Sequence, residues 1–180
     1  MILDRELSDG AVKLATLDDG AAEGPYASWM SDPEVLRFLE SRFAKHDADR
    51  IADFIRDKRF APNSLLAGIF FEGRHVGNIK LDIAREHSRG DLGLLIGEKT
   101  VWGRGIARRA IALISDYAFS VLGLAKISAG VYATNIGSQK AFESVGYRAE
   151  AVRRSHYIDN GVRVDAVLLA RFNPSLGLAP

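Results

Sequence analysis

The clearest pattern of hydrophobic and polar positions lies in the middle of the chain. Residues 91–97 and 126–132 are short apolar runs of strand length. Between them, apolar residues recur every three or four positions, which predicts a long helix with one buried face. These residues are Ile106, Ala110, Leu113, Ile114, Tyr117 and Val121. Gly123 follows where the helix is expected to end, because glycine accepts the positive φ of a C-terminal cap. A shorter helix is predicted from Asn135 to Gly146.

The flanking sequence predicts further short elements around this central stretch. Strands are predicted at residues 11–17, 65–71, 75–83, 147–152 and 163–172, the first at a sheet edge and the last near the centre. Helices are predicted at residues 21–30, from residue 31 onwards and at 47–60, with polar loops at 84–90 and 153–161 and a loose tail at 173–180. No linker or internal repeat interrupts the pattern, so residues 1–180 are interpreted as one domain.

Composition excludes several classes of protein. The 180 residues carry a formal net charge of +1, so there is no broad basic field for nucleic acid. No apolar run is long enough to span a bilayer, and the acidic start of the chain is unlike a secretory signal. The absence of cysteine excludes disulfides, thiolate metal sites and a cysteine nucleophile. We expect a cytoplasmic protein with no metal cofactor and no nucleic-acid or membrane partner. The oligomeric state stays open, a homodimer included.

A glycine-rich turn before the long helix has the features of an anion site. The turn is Trp102-Gly103-Arg104-Gly105-Ile106-Ala107. The first N–H groups of a helix have no partner within the helix, and the helix dipole places about half a positive charge beside them. The two glycines lack a Cβ, so a phosphate can approach the backbone closely. Arg104, Arg108 and Arg109 add formal positive charge, and a diphosphate is therefore the expected ligand.

Two motifs in this order resemble the Gcn5-related N-acetyltransferase (GNAT) family. That family's loop follows the pattern Gln/Arg-x-x-Gly-x-Gly/Ala, whose last two places are filled here by Gly105 and Ala107. Trp102 stands where Gln or Arg is usual, as is common in the RimJ/RimL-like branch. The later run at residues 135–147 is similar to that branch's Asn-x-x-Ser-x-x-x-aromatic-x-x-x-Gly-aromatic segment.

The resemblance extends over residues 10–172 and implies the acyl-CoA N-acyltransferase fold. This fold is α/β, with a mixed, mostly antiparallel sheet of six or seven strands, splayed in the middle, and helices on both faces. Residues 91–147 would bind acetyl-CoA, with pantetheine in the gap of the sheet and in contact with backbone groups of Leu95 or Ile96. Such a backbone N–H is also an oxyanion donor in principle. The residues implied for the diphosphate are Trp102, Gly103, Arg104, Gly105, Ile106, Ala107 and Arg108.

The segment after the second strand supplies further candidate residues. Asn135 resembles a cofactor contact, and it is equally suited to cap the helix that it begins. Many members of the family protonate the departing thiolate with a tyrosine at the place of Phe142, which has no proton to donate. Ser138 resembles the serine proposed for this role in the RimJ/RimL-like branch, with a solvated helical serine as the alternative.

The general base is the least defined part of the predicted site. Glu98 directly follows the core strand and is one candidate. His87 precedes that strand and is another, since histidine suits a proton relay near neutral pH. The alternatives are a carboxylate in a surface turn, a loop histidine, and a chain of water molecules in place of any dedicated base. Candidates for the acceptor side are Trp29, Phe38, Glu40, Arg42 and Phe43.

The glycine turn before a helix is compatible with three functional interpretations. A nicotinamide-binding Rossmann domain is disfavoured, because Arg108 occupies the third glycine place and residues 117–139 contain no Asp or Glu to bind a ribose. A module that binds acyl-CoA without turnover is compatible with Phe142. The favoured function is acetyl transfer from acetyl-CoA to a primary amine. A small molecule such as an amino-sugar nucleotide is the preferred acceptor, since residues 29–35 resemble a segment of such enzymes, and a protein N-terminus is the alternative.

Overall fold

The computed structural model describes residues 1–177, which form one eight-stranded sheet flanked by helices. The strands are β1 (Leu7–Ser8), β2 (Val12–Thr16), β3 (Ser64–Phe71), β4 (Arg74–Ala84), β5 (Arg89–Ile96), β6 (Lys126–Tyr132), β7 (Arg148–Asp159) and β8 (Val162–Phe172). The helices are α1 (Pro25–Trp29), α2 (Pro33–Leu36), α3 (Ala48–Phe60), α4 (Ile106–Ser120) and α5 (Ile136–Glu143). Short 3-10 helices lie at Asp19–Glu23, Glu40–Phe43, Arg85–His87, Lys99–Val101 and Pro174–Leu176. The strand order is β1-β2-β3-β4-β5-β6-β8-β7, antiparallel throughout except between β5 and β6.

Two apolar clusters cover the two faces of the sheet. Successive strand residues point to opposite faces, and in β3 Leu65 and Ala67 belong to one cluster while Leu66 belongs to the other. The larger cluster contains the buried face of α4, where Ile111 and Ile114 are fully buried. The smaller cluster contains buried residues of α1, α2 and α3. The predicted arrangement of helices on both faces is therefore confirmed. Within residues 1–177, none of the helices is long and apolar enough to cross a membrane.

The sheet opens between its two parallel strands. β5 and β6 pair only where Arg89, Gly90 and Asp91 lie beside Lys126, Ile127 and Ser128. Beyond Asp91, the rest of β5 is bound to β4 alone, so the predicted splay in the middle of the sheet is confirmed. Because parallel strands end at the same edge of a sheet, the N-termini of α4 and α5 lie at the open end of this gap.

Several predictions about the elements need correction. The sheet has eight strands rather than six or seven. The strand predicted at 11–17 corresponds to β2 and is not the edge strand, because β1 pairs with its outer side. The polar loop predicted at 153–161 is instead the second half of β7, up to Asp159. β7 is the other edge strand and is exposed along almost its whole length, so it carries no alternation of buried and exposed residues. β8, predicted near the centre of the sheet, is instead the second strand from the edge, between β6 and β7.

The loose tail predicted at 173–180 begins later than expected. Asn173 is buried, and its side-chain amide donates to the carbonyls of Leu124 at 2.9 Å and Phe119 at 3.4 Å. Residues 174–176 then form a 3-10 helix. The part of that prediction at residues 178–180 lies outside the described residues.

Candidate active site

A cavity of about 800 Å³ lies at the open end of the gap between β5 and β6. Its walls come from the end of β5, the loop before α4 with the first turn of that helix, the end of β6, the start of α5 and the segment around α2. The predicted site residues that line it are Leu95, Ile96, Trp102, Gly103, Gly105, Ile106, Ala107, Arg108, Asn135 and Ser138. Arg104, Glu98 and His87 are not part of this lining.

The glycine turn leaves the N-terminus of α4 open to a ligand. Gly103 and Gly105 have φ angles of 76° and 74°, which glycine adopts without the strain that a Cβ brings. Gly105 is the N-cap residue and no side chain caps the helix, so the first backbone N–H groups have no side-chain acceptor. A Cβ built on Gly105 would meet nothing closer than Nε of Arg108 at 4.0 Å. Backbone donors, the helix dipole and free space together make this turn suitable for an anion.

The three arginines near the turn have different surroundings. Arg104 stacks on the ring of Phe71 at 4.5 Å and pairs with Glu72 at 3.4 Å, which draws it away from the cavity. Arg109 pairs with Asp9 at 2.7 Å. Arg108 lines the cavity and has no carboxylate partner within the described part of the chain. Arg108 is therefore the arginine positioned to meet an anion at the helix N-terminus, whereas the predicted role of Arg104 is not favoured by its contacts.

The edge of β5 that faces the gap carries open backbone groups. The Gly97 N–H donates to the Val76 carbonyl in β4 at 3.0 Å. In an antiparallel pair, the backbone N–H and C=O groups of successive residues point alternately toward and away from the partner strand. The N–H and C=O of Leu95, two residues before Gly97, therefore also face β4. The N–H and C=O groups of Leu94 and Ile96 then face the gap. The indole N–H of Trp102 donates to the Ile96 carbonyl at 2.8 Å. The N–H of Ile96 and both backbone groups of Leu94 remain open toward the cavity.

The start of α5 contributes polar groups to the opposite wall. The Asn135 side chain accepts a hydrogen bond from the Ser138 N–H at 3.1 Å, which is the N-cap geometry, and both residues line the cavity. Asn135 is therefore a helix cap that is also available to a ligand. Phe142 is buried against Tyr147, with ring centroids 4.9 Å apart, so its ring fills the core beneath the cavity.

Neither predicted base faces the cavity. The Glu98 carboxylate accepts hydrogen bonds from the hydroxyl of Thr100 at 2.7 Å and from its N–H at 3.1 Å. These bonds hold the pKa of Glu98 below its usual range, which makes it a weaker base. His87 is exposed in the 3-10 helix before β5, at the other end of that strand from Ile96. The geometry argues against both residues as the base and favours their alternatives, a turn carboxylate and a loop histidine.

The structure adds cavity residues that the sequence did not indicate. Tyr132, the last residue of β6, is only 3% exposed, and its hydroxyl donates to the carboxylate of Glu40. Arg37 lines the cavity and forms a bidentate ion pair with the buried Asp159. Its Nη2 and Nε donate to the two carboxylate oxygens at 3.0 and 3.1 Å. Among the acceptor-side candidates, Phe38 also lines the cavity, whereas Trp29 packs in the core. The available signal for Tyr132 was its position at the end of a predicted strand, three residues before Asn135.

Fold and cavity together define an α/β protein of the acyl-CoA N-acyltransferase class. The splayed sheet, the open helix N-terminus beside the gap and the order of the elements are the features that this class requires. Residues 12–148 match the family profile described as "Acetyltransferase (GNAT) domain". The chain therefore belongs to the GNAT family, and the resemblance seen in its two motifs is confirmed.

Curated relatives and solved structures agree with this assignment. The Bacillus subtilis (strain 168) protein described as "Probable N-acetyltransferase YjcK" is 42% identical over 72 residues, which is 40% of each chain. The chain also spans only about half the length of two other Bacillus relatives. The Escherichia coli (strain K12) spermidine N(1)-acetyltransferase is 26% identical over 158 residues, 87% of this chain and 77% of that protein. The structure of Mycobacterium smegmatis RimJ in complex with CoA-disulfide has a TM-score of 0.79 at 20% identity, over 97% of this chain and 89% of RimJ, and it supports the fold. Within residues 1–177, no group of three His, Asp or Glu side chains could hold a metal ion.

Proposed function

We propose that this protein transfers the acetyl group of acetyl-CoA to a primary amine, by direct attack of the amine on the thioester. One observation carries the proposal. A single cavity joins the uncapped N-terminus of α4 to the open edge of β5. A ligand with a diphosphate and an arm that contains amides fits these two features at once, because one supplies anion-binding N–H groups and the other supplies strand-like donors and acceptors.

The residues of the cavity take separate roles in this proposal. The N–H groups in the first turn of α4, with Arg108, hold the diphosphate. The open backbone groups of Leu94 pair with a pantetheine amide as an added strand would, and the N–H of Ile96 contacts the cofactor near its thioester. Leu95, whose backbone faces β4, contributes only its side chain to the cavity wall. Bound acetyl-CoA supplies the activated acetyl group, and an N–H at the end of β5 stabilises the oxyanion.

Ser138 and Asn135 complete the wall nearest the sulfur in this proposal. Ser138 lines the cavity, and its backbone N–H is already bound by Asn135. Phe142 is buried and has no proton to donate, so Ser138 is the proposed hydrogen-bond donor to the departing thiolate. The contribution expected of such a donor is a lower barrier for departure of the thiolate, with little effect on cofactor affinity.

The proposed acceptor is a small-molecule primary amine. The alignment with spermidine N(1)-acetyltransferase over 158 residues supports a small amine, and the likeness of residues 29–35 to acetylases of amino-sugar nucleotides supports the same class. A protein N-terminus is the competing acceptor, since the neighbouring structures also include RimL and RimJ. The mixed surroundings of the cavity, with Arg37, Phe38 and Tyr132 near its acceptor end, do not favour a strongly basic peptide.

The test combines binding and turnover. We would titrate the protein with acetyl-CoA in a calorimeter, with NADH as the control ligand, and then measure thiol release with a panel of acceptors. The panel contains spermidine, an amino-sugar nucleotide and a peptide with a free N-terminus. Because the chain has no cysteine, every thiol that the reagent detects comes from CoA. We expect acetyl-CoA to bind, NADH not to bind, and a small amine to release thiol fastest. Binding of acetyl-CoA without release from any amine would instead support a non-catalytic acyl-CoA-binding module.

A further inference from the structure

We infer that Tyr132 and Glu40 form a proton relay that takes the proton from the acceptor ammonium, an inference that rests on the proposed acetyl transfer. The amine must be neutral to attack, and neither Glu98 nor His87 faces the cavity. Tyr132 lines the cavity, and its hydroxyl donates to the Glu40 carboxylate. The relay therefore begins at a group that the acceptor can touch and ends at a carboxylate exposed to solvent.

The register of the sheet brings Tyr132 close to the reacting end of the gap. β5 and β6 are parallel, with Arg89 beside Lys126 and Asp91 beside Ser128. When this register is continued one residue for one residue along the diverging strands, Tyr132 comes opposite Leu95. Its neighbour Ile96 carries the N–H that we assign to the thioester. An amine between the two strands would lie between the tyrosine hydroxyl and the acetyl carbon.

Neighbouring rings hold the Tyr132 ring in one orientation. Tyr157 stacks on it with centroids 3.9 Å apart and planes 8° from parallel. The Phe38 ring also packs against the Tyr132 ring, with the two ring centroids 5.6 Å apart. Burial and the hydrogen bond to Glu40 raise the pKa of Tyr132 above its ordinary value, so the phenol stays protonated and passes protons instead of storing a charge.

Glu40 is placed to accept the proton and to lose it again. It is exposed and makes no ion pair within residues 1–177, so no cation neutralises its carboxylate. In the step that we assign, the ammonium gives a proton to the Tyr132 oxygen while the Tyr132 hydroxyl proton moves to Glu40. The neutral amine forms the C–N bond, and the C–S bond breaks with its electron pair on sulfur. The second proton of the nitrogen ends on that sulfur, so the products are the amide, CoA thiol and the one proton that Glu40 releases.

Arginine and carboxylate side chains surround the relay, and their charges change little near neutral pH. The Arg42 guanidinium lies 5.4 Å from the centroid of the Tyr132 ring and donates to the carbonyls of Arg37 and Ile158. Arg37 itself is paired with Asp159, and its hydrogen bonds keep the pKa of that carboxyl below its usual range. Arginine and this carboxylate therefore keep their charges across the range in which an acceptor amine titrates.

His156 is the histidine that packs next to this group of rings. Its ring lies edge-on to Tyr157, with centroids 4.7 Å apart. A pH profile alone would not separate the relay from other ionisable groups. Comparing two acceptors at each pH removes this ambiguity, because His156 affects both and the relay serves only the acceptor that carries a proton.

The experiment compares a protonated and a neutral acceptor. Hydroxylamine is neutral at neutral pH and needs no base, whereas the alkylamine that reacts fastest in the acceptor panel is protonated. For Tyr132→Phe and Glu40→Gln we expect kcat with the alkylamine to fall roughly 10²-fold, and kcat with hydroxylamine to change by less than about threefold. Raising the pH should restore the alkylamine rate, and the double variant should lose little more than either single one. Glu86→Gln, an exposed carboxylate beyond the far end of β5, is the matched control and should behave as wild type.

Each other outcome overturns a defined claim. Equal losses with both acceptors would show that the pair only shapes the cavity, and unchanged rates would remove it from the reaction. Calorimetric titration with acetyl-CoA must give wild-type affinity for each variant, which reports an intact cofactor site. Since Glu40 is exposed, Glu40→Gln is expected to fold even if Tyr132→Phe does not. If wild type does not raise thiol release above the uncatalysed rate with any amine, hydroxylamine included, the proposed acetyl transfer itself fails and the relay fails with it.

Discussion

Gly105→Asp tests the proposed diphosphate site with the smallest structural change. Gly105 is the N-cap of α4 at φ 74°, and a Cβ there would meet no protein atom closer than Nε of Arg108 at 4.0 Å. The substitution therefore puts a carboxylate where the diphosphate should sit without displacing a neighbour. The change in backbone conformation is small, because Asp enters the left-handed region more readily than most residues, and we expect about 1 kcal/mol of lost stability.

The expected loss of binding follows from the repulsion between this carboxylate and the diphosphate. Two unit charges 4 Å apart interact by about 4 kcal/mol at an effective dielectric constant of about 20. The turn is open to solvent, and we expect screening to reduce this to roughly 2–3 kcal/mol. Since each 1.4 kcal/mol is about tenfold in affinity, acetyl-CoA should bind Gly105→Asp about 100-fold more weakly than a neutral variant of the same shape.

Gly105→Asn is that neutral variant, because it has the same size and shape as Asp. The dissociation constants for acetyl-CoA would be measured by calorimetry at low and high salt, and the gap between the two variants should narrow as salt rises. Gly123→Asp, at a φ of 67° beyond the other end of α4, controls for an added charge and for a side chain at positive φ. If Gly105→Asp and Gly105→Asn bind acetyl-CoA equally, or if the folded Asp variant binds as wild type does, the diphosphate does not sit at this turn.

Three further predictions concern single side chains. Ser138→Ala should lower kcat by about tenfold or more while the calorimetric affinity for acetyl-CoA changes little, and an unchanged kcat would remove the serine from the reaction. Arg108→Ala should weaken acetyl-CoA binding by roughly 5- to 20-fold and reduce its salt dependence. Arg104→Ala should bind acetyl-CoA nearly as wild type does, because Phe71 and Glu72 hold the Arg104 side chain. Equal losses in the two variants would contradict the separate roles assigned to the two arginines. The hydrogen bonds from Arg37 lower the pKa of Asp159 in the folded state. They therefore stabilise the folded protein fully above the ordinary pKa of Asp, and this stabilisation is lost as the pH falls through the lowered folded-state pKa. Urea unfolding between pH 6 and pH 3 should therefore depend less steeply on pH in Asp159→Asn, and parallel curves would refute the assignment.

The sequence predicts the buried elements of this protein well. β6 has the predicted bounds at residues 126–132, and α4 follows the predicted apolar spacing from Ile106 to Tyr117, because both are packed on the core and burial imposes a period on the residue types. Val121, predicted on the same buried face, is instead the exposed C-cap of α4. The glycine turn before α4 was also predictable, since the positive φ angles of Gly103 and Gly105 favour residues without a Cβ. These features depend on local constraints that the residue types must satisfy.

The features that were missed depend on long-range packing or on exposure. β7 is an exposed edge strand whose residues need not alternate, so its second half resembled a polar loop. Tyr132 and Glu40 are far apart in the chain and meet only because the segment after α2 folds over the end of β6. Glu98 and His87 flank the predicted core strand in sequence, but the strand separates His87 from the cavity and Thr100 binds the Glu98 carboxylate.

Hydrogen–deuterium exchange with and without acetyl-CoA tests the central claim most directly. The amides of Leu94 and Ile96 face the gap, and those of residues 106–108 are in the uncapped first turn of α4. We predict that acetyl-CoA slows exchange at these five amides and leaves the exposed strand β7 unchanged, while NADH has no effect. Binding that protects other amides, or that leaves both the end of β5 and the start of α4 unprotected, would contradict the location of the site and the roles assigned to its residues.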